Sequence, residues 1–237
     1  PAALSGDAAA RQAASSNPQD LFSDSAGKWA QLAFADKIEK YCKLLASKHE
    51  LVAICVSKYL MYKHFEGKID VPEFYLVKTM AELIEAAEKL GYPEKDVVFK
   101  PPEGKGARGV RVLTEKSDRY DLLFNGRPFA KYISMDELKS TVGKKEIPTL
   151  MIMEYLDGVE LKIDPVLQNG EMLTCSVKNR LNFASGLAMG FEMIDDNEAI
   201  DYARNLLKHL PMDYCIDIST RGGGLMEINP RISTYIY

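Results

Sequence analysis

Two acidic residues near the C-terminus flank a glycine-rich turn, and their spacing limits how this part of the chain can fold. Apolar and polar residues alternate on both sides of residues 221–224, Arg-Gly-Gly-Gly, and glycine permits the positive φ of a tight turn. This pattern predicts a β-hairpin with a three-residue loop at 221–223, in which Asp217 lies directly opposite Glu227. Asn229 lies two residues beyond Glu227 and therefore shares its face of the hairpin.

Two carboxylates placed side by side on a sheet repel each other, so the arrangement favours a cation between them. The oxygen atoms of Asp217, Glu227 and Asn229 suit Mg²⁺ better than a softer metal. We therefore predict a magnesium site on this hairpin, with Mn²⁺ as an alternative occupant. A solvated hairpin end that carries two unrelated acids is the competing interpretation of this segment alone.

The composition excludes several classes of protein. Of the 237 residues, 46% are apolar and 27% are charged, which is typical of a soluble globular protein. The net charge of −4 argues against a nucleic-acid-binding protein, and no apolar run has the length of a membrane span. No signal peptide is recognisable, and the 4 cysteines show no paired spacing. We expect a cytoplasmic protein without nucleic-acid or membrane partners, and homodimer formation is left open.

Helical and strand patterns are mixed along the chain without strict alternation, which favours an α+β fold with antiparallel sheets. The composition of residues 1–27, which have little apolar periodicity, predicts a weakly structured arm or a mobile helix. Helical periodicity follows, and we predict helices over residues 50–65, 79–90, 134–142 and 196–210, with shorter strands between them.

Residues 101–109, Pro-Pro-Glu-Gly-Lys-Gly-Ala-Arg-Gly, form a glycine-rich loop between two predicted strands. A dinucleotide-binding fingerprint needs a helix after the glycines, but residues 110–113 have the alternation of a strand. A Walker loop needs Ser or Thr after Gly-Lys, and no protein-kinase motif accompanies the loop. The pattern indicates a flap that could cover phosphates, with Lys100 at the end of the incoming strand; a flexible surface hairpin is the alternative. The glycines of this flap are Gly104, Gly106 and Gly109, and its basic residues are Lys105 and Arg108.

A third segment, residues 151–160, consists of an apolar strand that ends in Glu154, Tyr155 and Leu156 before a turn leads to Glu160. Such a crossover can offer backbone groups to an adenine edge and a carboxylate to ribose hydroxyls. Taken alone, it is better explained as a core strand and a turn.

In their order along the chain, the Lys100 segment with its flap, the segment 154–160 and the segment 226–231, Met-Glu-Ile-Asn-Pro-Arg, resemble the ATP-grasp superfamily. The resemblance is to its carbamoyl-phosphate-synthase-like branch of carboxylate–amine ligases, and it covers roughly residues 50–234. It implies ATP and Mg²⁺ as cofactors and an ATP-grasp fold, in which two α+β subdomains with antiparallel sheets grip the nucleotide. The implied division is an N-terminal arm and helix at 1–48, an N-terminal lobe at 49–114 and a C-terminal lobe at 115–237.

The resemblance also implies a role for each matching residue. Lys58 and Lys100 match phosphate-binding lysines, and residues 104–109 match the flap. Arg231 matches the arginine that contacts the transferred phosphoryl group, and Arg180 is placed near the substrate. The other matches are to the adenine strand end (Glu154, Tyr155, Leu156), the ribose acid (Glu160) and the magnesium ligands (Asp217, Glu227, Asn229).

Some positions depart from the family pattern. Residues 1–48 do not resemble the domain that usually precedes this fold, and Glu227 follows Asp217 by ten residues, which is a short spacing for the two acids. Lys162 and Pro165 are unusual in a strand that commonly reads polar–Val–Asp. We expect an ATP-dependent ligase that acts on small-molecule carboxylate and amine substrates. A regulatory ATP-binding module and a small-molecule kinase are the alternatives.

Overall fold

The computed structural model describes residues 37, 40–41, 45–103, 109–118, 120, 131–184 and 187–232. The part from residue 49 begins with two short helices, α1 (His49–Val56) and α2 (Lys58–Phe65). They replace the single helix predicted over residues 50–65. The break lies at Ser57, whose backbone is extended and whose hydroxyl accepts a hydrogen bond from the amide of Leu60, so that Ser57 caps α2. The break gives α2 an N-terminus of its own, with Lys58 as its first residue.

Five strands form the first sheet: β1 (Phe74–Val77), β2 (Val97–Lys100), β3 (Arg111–Leu113), β4 (Tyr132–Ile133) and β5 (Leu150–Glu154). Their order is β1-β5-β2-β3-β4, and all neighbours are antiparallel except β3 and β4. Two helices pack against this sheet, α3 (Met80–Lys89) and α4 (Met135–Val142). Both begin where the sequence predicts: Thr79 and Glu82 form a capping box at α3, and Ser134 caps α4.

Six strands form the second sheet: β6 (Glu160–Gln168), β7 (Glu171–Ala184), β8 (Leu187–Ile194), β9 (Tyr214–Cys215), β10 (Asp217–Arg221) and β11 (Gly224–Asn229). Its order is β11-β10-β6-β7-β8, with β9 also pairing with β6, and every pair is antiparallel. Helix α5 (Asn197–His209) packs against β6 and β7. The two antiparallel sheets with their helices confirm the predicted α+β class.

Strand β5 contributes side chains to two apolar cores. Met151 and Met153 belong to a core that also contains residues of α2, α5 and the second sheet. Leu150 and Ile152 point the other way, into a core formed with α3 and α4. Strand β4 pairs with β3, and β5 pairs with β1 and β2, so the first sheet includes residues up to 154. The division into lobes at 114 and 115 that the resemblance implied stays a prediction. Among the helices that the structure describes, none is long and apolar enough to cross a bilayer.

Candidate nucleotide-binding site

Three charged residues from different elements meet where α2 begins, β2 ends and β11 runs past them. Lys58 is the first residue of α2, and its ammonium nitrogen lies 3.7 Å from a carboxylate oxygen of Glu227 on β11. Lys100 is the last residue of β2, and its ammonium nitrogen lies 5.6 Å from the centre of the Tyr62 ring. The amide of Lys58 also donates to the carbonyl of Pro102, which ties α2 to the segment after β2. The structure thus brings together Lys58, Lys100 and Glu227.

Lys100 is buried, with 7% of its surface exposed. Burial, and after it the positive charge of Lys58, lowers the pKa of its ammonium group to about 7, although Glu227 acts in the opposite direction. Near neutral pH this lysine can therefore gain or lose a proton. An anion placed beside it would favour the protonated form.

The final hairpin has the predicted face but a different register. Its turn consists of Gly222 and Gly223 alone, and Asp217 pairs with Asn229, while Ser219 pairs with Glu227. The prediction that Asp217 lies directly opposite Glu227 is therefore wrong. A bulge between Ser219 and Thr220 shifts the register on β11 by one residue. Asp217 and Glu227 nevertheless share one face, because each lies on the face of Asn229.

The oxygen atoms on this face fit a divalent cation only in part. The amide nitrogen of Asn229 donates to one carboxylate oxygen of Glu227 over 3.1 Å, so these two side chains are adjacent and offer hard oxygen ligands. Asp217 is held differently: the ammonium of Lys162 lies 2.9 Å and 3.2 Å from its two carboxylate oxygens. Arg231 lies 3.7 Å from one of them. Within the described residues, no group of three or more His, Cys, Asp or Glu side chains forms a metal-binding cluster.

Glu160 is the centre of a buried ion-pair network. One of its carboxylate oxygens accepts a hydrogen bond from Arg180 on β7, and the other lies 2.7 Å from the guanidinium of Arg221 on β10. Glu160 was predicted to bind ribose, yet both of its oxygens already have partners within the protein. A carboxylate oxygen can accept a second hydrogen bond, so this role stays a prediction.

The adenine-binding residues predicted from the sequence lie at the end of β5 and just beyond it. The amide of Glu154 donates to the carbonyl of Glu73, and its carboxylate accepts from the amide of Glu73 over 2.8 Å. Tyr155 is half-buried, and burial raises the pKa of its hydroxyl. Leu156 packs against the core of the second sheet and touches Gly224. Their role in base recognition stays a prediction, as do the roles of Gly104, Lys105 and Gly106, which lie outside the described residues.

Gly109 is the one flap glycine that the described part of the chain includes. Its φ is +74°, and a Cβ atom there would lie 2.9 Å from the ring of Pro101. Glycine is therefore required where the chain re-enters the sheet at β3. Gly109 therefore lies close to Pro101, the first residue of the glycine-rich loop.

The crossover from β5 to β6 rests on the turn of the final hairpin. The amide of Gly222 donates to the carbonyl of Val159, and a Cβ atom on Gly222 would lie 2.0 Å from the carbonyl oxygen of Asp157. Gly158 faces the same contact, since a Cβ atom there would lie 3.1 Å from the Cα of Gly222. Both glycines have a positive φ. The segment 155–159 and the hairpin are thus joined through their backbones.

Sequence reasoning missed several residues that shape this site. The hydroxyl of Tyr62 on α2 is buried and is shared between the carbonyls of Leu225, at 2.9 Å, and Met226, at 3.1 Å. It fixes the strand that carries Glu227. Helical periodicity identifies Tyr62 as a core residue but carries no signal for its polar partners. Ser219 and Arg221 were read only as hairpin residues, because their partners lie on β6, far away in sequence.

Comparison with known proteins shows what this chain is similar to. Residues 146–236 match the model of a family described as ATP-grasp in the biosynthetic pathway with Ter operon. The carbamoyl phosphate synthase large chain of Pseudothermotoga lettingae is 28% identical over 158 residues, which are 65% of this chain and 12% of that protein. The chain thus spans about an eighth of the length of this relative.

Solved structures with the same fold include two ligand complexes. The N5-carboxyaminoimidazole synthase of Aspergillus clavatus with ADP and 5-aminoimidazole ribonucleotide superposes with a TM-score of 0.60 and 16% identity. The match covers 86% of this chain and 51% of that one. The D-alanine–D-alanine ligase of Bacillus anthracis with ATP gives a TM-score of 0.56 and 18% identity over 91% of this chain and 72% of that one. The fold shared by these proteins is the ATP-grasp fold.

Proposed function

We propose that the chain is an ATP-dependent carboxylate–amine ligase, because it has the ATP-grasp fold, residues 146–236 match an ATP-grasp family model, and it is similar to carbamoyl phosphate synthase. In the proposed reaction a carboxylate oxygen of the substrate attacks the γ-phosphorus of ATP, and ADP leaves. The amine then attacks the acyl carbon, inorganic phosphate leaves, and the new amide nitrogen loses a proton. Phosphoryl transfer of this kind depends mainly on positioning and charge neutralisation.

The observation that supports this proposal is the convergence of Lys58, Lys100 and Glu227 from α2, β2 and β11. Two lysines beside one carboxylate provide positive charge for a polyphosphate and an oxygen ligand for its metal ion. Arg231, 3.7 Å from Asp217, adds a third cation on the same side of the second sheet. In our proposal Lys58 and Lys100 bind phosphate oxygens, and Arg231 stabilises the charge that develops on the phosphoryl group in flight.

In our proposal the metal ion is bound by the carboxylate of Glu227 and the amide oxygen of Asn229, two side chains that are adjacent in the structure. When bound, Mg²⁺ supplies charge neutralisation at the phosphates. Glu154, Tyr155, Leu156 and Glu160 are proposed to contact the base and ribose. Arg180 is proposed to lie near the substrate, held in place by its ion pair with Glu160.

A regulatory ATP-binding module without turnover is the second candidate function. The ion pair between Lys162 and Asp217 favours it, because a lysine beside a predicted metal ligand weakens the attraction of that ligand for a cation. The small-molecule carboxylate and amine, the homodimer and the cytoplasmic location stay predictions.

Two measurements test the proposal in order. Isothermal titration calorimetry with ATP, with and without Mg²⁺, tests nucleotide binding, and absence of binding in both conditions would end the ATP-grasp interpretation of the site. A screen for ADP release against pooled amino acids, other carboxylic acids and amines then separates the two candidates. A ligase releases ADP only when a carboxylate is present, whereas a regulatory module binds ATP and releases none with any pool.

A further inference from the structure

One face of the second sheet carries charged side chains that are buried. Ile163, Val177 and Ile218 point to the apolar core, so the residues that alternate with them lie on the other face. Three of these alternating residues are acids and four are bases: Glu160, Asp164, Asp217, Lys162, Lys178, Arg180 and Arg221. The lysines are almost inaccessible, with 8% of Lys162 and 3% of Lys178 exposed. Buried charges of this kind need partners in the protein.

The ammonium group of Lys162 has a complete set of partners. Its nitrogen lies 2.9 Å and 3.2 Å from the two carboxylate oxygens of Asp217, and it donates to the hydroxyl of Ser219. An ammonium group has three N–H donors, so all three are used. Ser219 is the cross-strand neighbour of both Lys162 and Glu227, so Lys162, Ser219 and Glu227 form one row across β6, β10 and β11.

This arrangement determines which oxygen atoms are open to a divalent cation. Asp217 is 2% exposed, its two oxygens bind the same ammonium, and Arg231 provides a second positive charge 3.7 Å from one of them. A Mg²⁺ ion bonded to Asp217 at its usual distance of roughly 2.0–2.1 Å would lie next to the Lys162 ammonium in a buried place, where repulsion between like charges is strong. Glu227 differs from Asp217 in exposure, because 36% of its side chain is exposed against 4% for Asp217. The Lys58 ammonium lies 3.7 Å from its carboxylate, where water screens the charge of the lysine more strongly than at the buried Asp217.

From this we infer that Lys162 is the resident counter-ion of Asp217, and that the divalent cation is bound by Glu227 and Asn229 without Asp217. The inference rests on the proposed Mg²⁺–nucleotide site and narrows its ligand set. Asp217 is then a positioning residue: it fixes Lys162 on one side and lies beside Arg231 on the other. Lys162, which departs from the family pattern, accordingly takes the place of a metal ion that Asp217 would otherwise attract.

The test measures binding of Mn²⁺ in the presence of ADP by electron paramagnetic resonance of the free ion. Mn²⁺ is a suitable probe because it accepts the same carboxylate, carbonyl and water ligands as Mg²⁺. Glu227→Gln removes a charged ligand and should weaken Mn²⁺ binding by about tenfold or more. The double variant Lys162→Met/Asp217→Asn removes both partners of the buried ion pair and should keep Mn²⁺ affinity within about threefold of the parent.

Lys162→Met alone leaves Asp217 charged and removes its counter-ion, so Mn²⁺ should bind at least about threefold more tightly. Lys162→Arg keeps the positive charge and is the matched control. Melting curves of each variant check the fold, and the double variant tests the inference even if Lys162→Met does not fold. The inference is overturned if the double variant loses as much Mn²⁺ affinity as Glu227→Gln, or if Lys162→Met folds and binds Mn²⁺ no better than the parent. A parent protein that binds neither ADP nor Mn²⁺ is a different result, since it overturns the proposed function itself.

Discussion

The ammonium nitrogen of Lys58 lies 3.7 Å from a carboxylate oxygen of Glu227, and this contact connects the first turn of α2 with the last strand of the second sheet. Each side chain is the other's counter-ion while no ligand is bound. A nucleotide with its metal ion offers both of them a stronger partner, because phosphate attracts the lysine and the metal attracts the carboxylate. The contact therefore marks the position where we expect phosphate and metal to enter.

We predict that ATP binding is coupled to protonation of Lys100. Because its pKa is lowered to about 7, Lys100 is mostly neutral at pH 8, and phosphate oxygens would favour its charged form. Titrations at pH 8 in buffers of different ionisation enthalpy should show uptake approaching one proton per ATP, and the uptake should fall at lower pH. Lys100→Arg stays charged and should bind ATP without proton uptake. Equal binding enthalpies in all buffers would contradict the prediction.

The ammonium group of Lys100 should also make the stability of the ligand-free protein depend on pH. The unfolded chain, in which the pKa is near 10.5, binds more protons than the folded chain between pH 7 and 10.5. The free energy of unfolding contributed by Lys100 should therefore rise with pH across this window, by at most about 1.4 kcal/mol per pH unit. Urea unfolding of the parent and of Lys100→Met, at several pH values, measures the difference.

Glu227 and Arg231 should have separable effects on turnover and binding. Glu227→Gln mispositions the metal and should reduce ADP release by at least about 100-fold. Arg231→Ala should reduce turnover while ATP affinity stays within about tenfold, since its charge acts mainly on the group in flight. Glu66→Gln and Arg204→Ala remove exposed charges of the same types and are the controls. If both site variants release ADP at the parent rate, the assigned roles are wrong.

Two tyrosines with buried hydroxyl groups offer a matched test of how α2 holds the strand with Glu227. Tyr62→Phe removes a hydroxyl that two β11 carbonyls share and should lower the free energy of unfolding by about 1–2 kcal/mol. The hydroxyl of Tyr202 is also buried but has no hydrogen-bond partner in the described part of the chain. Tyr202→Phe should therefore change stability by less than about 0.5 kcal/mol, or increase it. Equal losses in denaturant unfolding of the two variants would refute the proposed importance of the Tyr62 hydrogen bonds.

The two turn glycines differ in their surroundings. Gly223→Ala places a Cβ atom in open space and should cost only the strain of a positive φ, about 1 kcal/mol. Gly222→Ala places that atom 2.0 Å from the carbonyl oxygen of Asp157. This clash should lower the free energy of unfolding by about 1–3 kcal/mol more than Gly223→Ala does. Chemical denaturation of both variants measures the difference. Similar losses would show that the crossover can move away from the turn.

The face of the final hairpin could be predicted from alternation, but its register could not. A turn of two residues without a bulge would place Asp217 opposite Ile228 and would send Asp217 and Glu227 to opposite faces. The bulge beside Ser219 adds the one residue that returns them to the same face. Hydrophobic alternation does not show a bulge, so the predicted loop was one residue too long while the predicted face was correct.

The partners of the charged residues were also beyond sequence reasoning. Lys162 was noticed as unusual for its strand, but its partner Asp217 lies on β10, which is adjacent to β6 in the sheet and distant in the chain. Arg180 and Arg221 likewise meet at Glu160 from two different strands. Such pairs depend on strand order, and local patterns do not determine strand order. The starts of α3 and α4 were predictable, by contrast, because capping by Thr79 and Ser134 involves only neighbouring residues, whereas the start of α2 at Ser57 was not predicted.

The backbone contact between the crossover and the hairpin turn has a consequence for how this protein could be diversified. Gly158 and Gly222 meet without side chains between them, so the distance from the end of β5 to the hairpin is set by main-chain atoms alone. A combinatorial library that randomises the side chains of the candidate nucleotide-binding site and keeps these two glycines should preserve that distance in every member. Selection from such a library would alter which chemical groups the site recognises. The distance between the end of β5 and the final hairpin would stay the same in all selected variants.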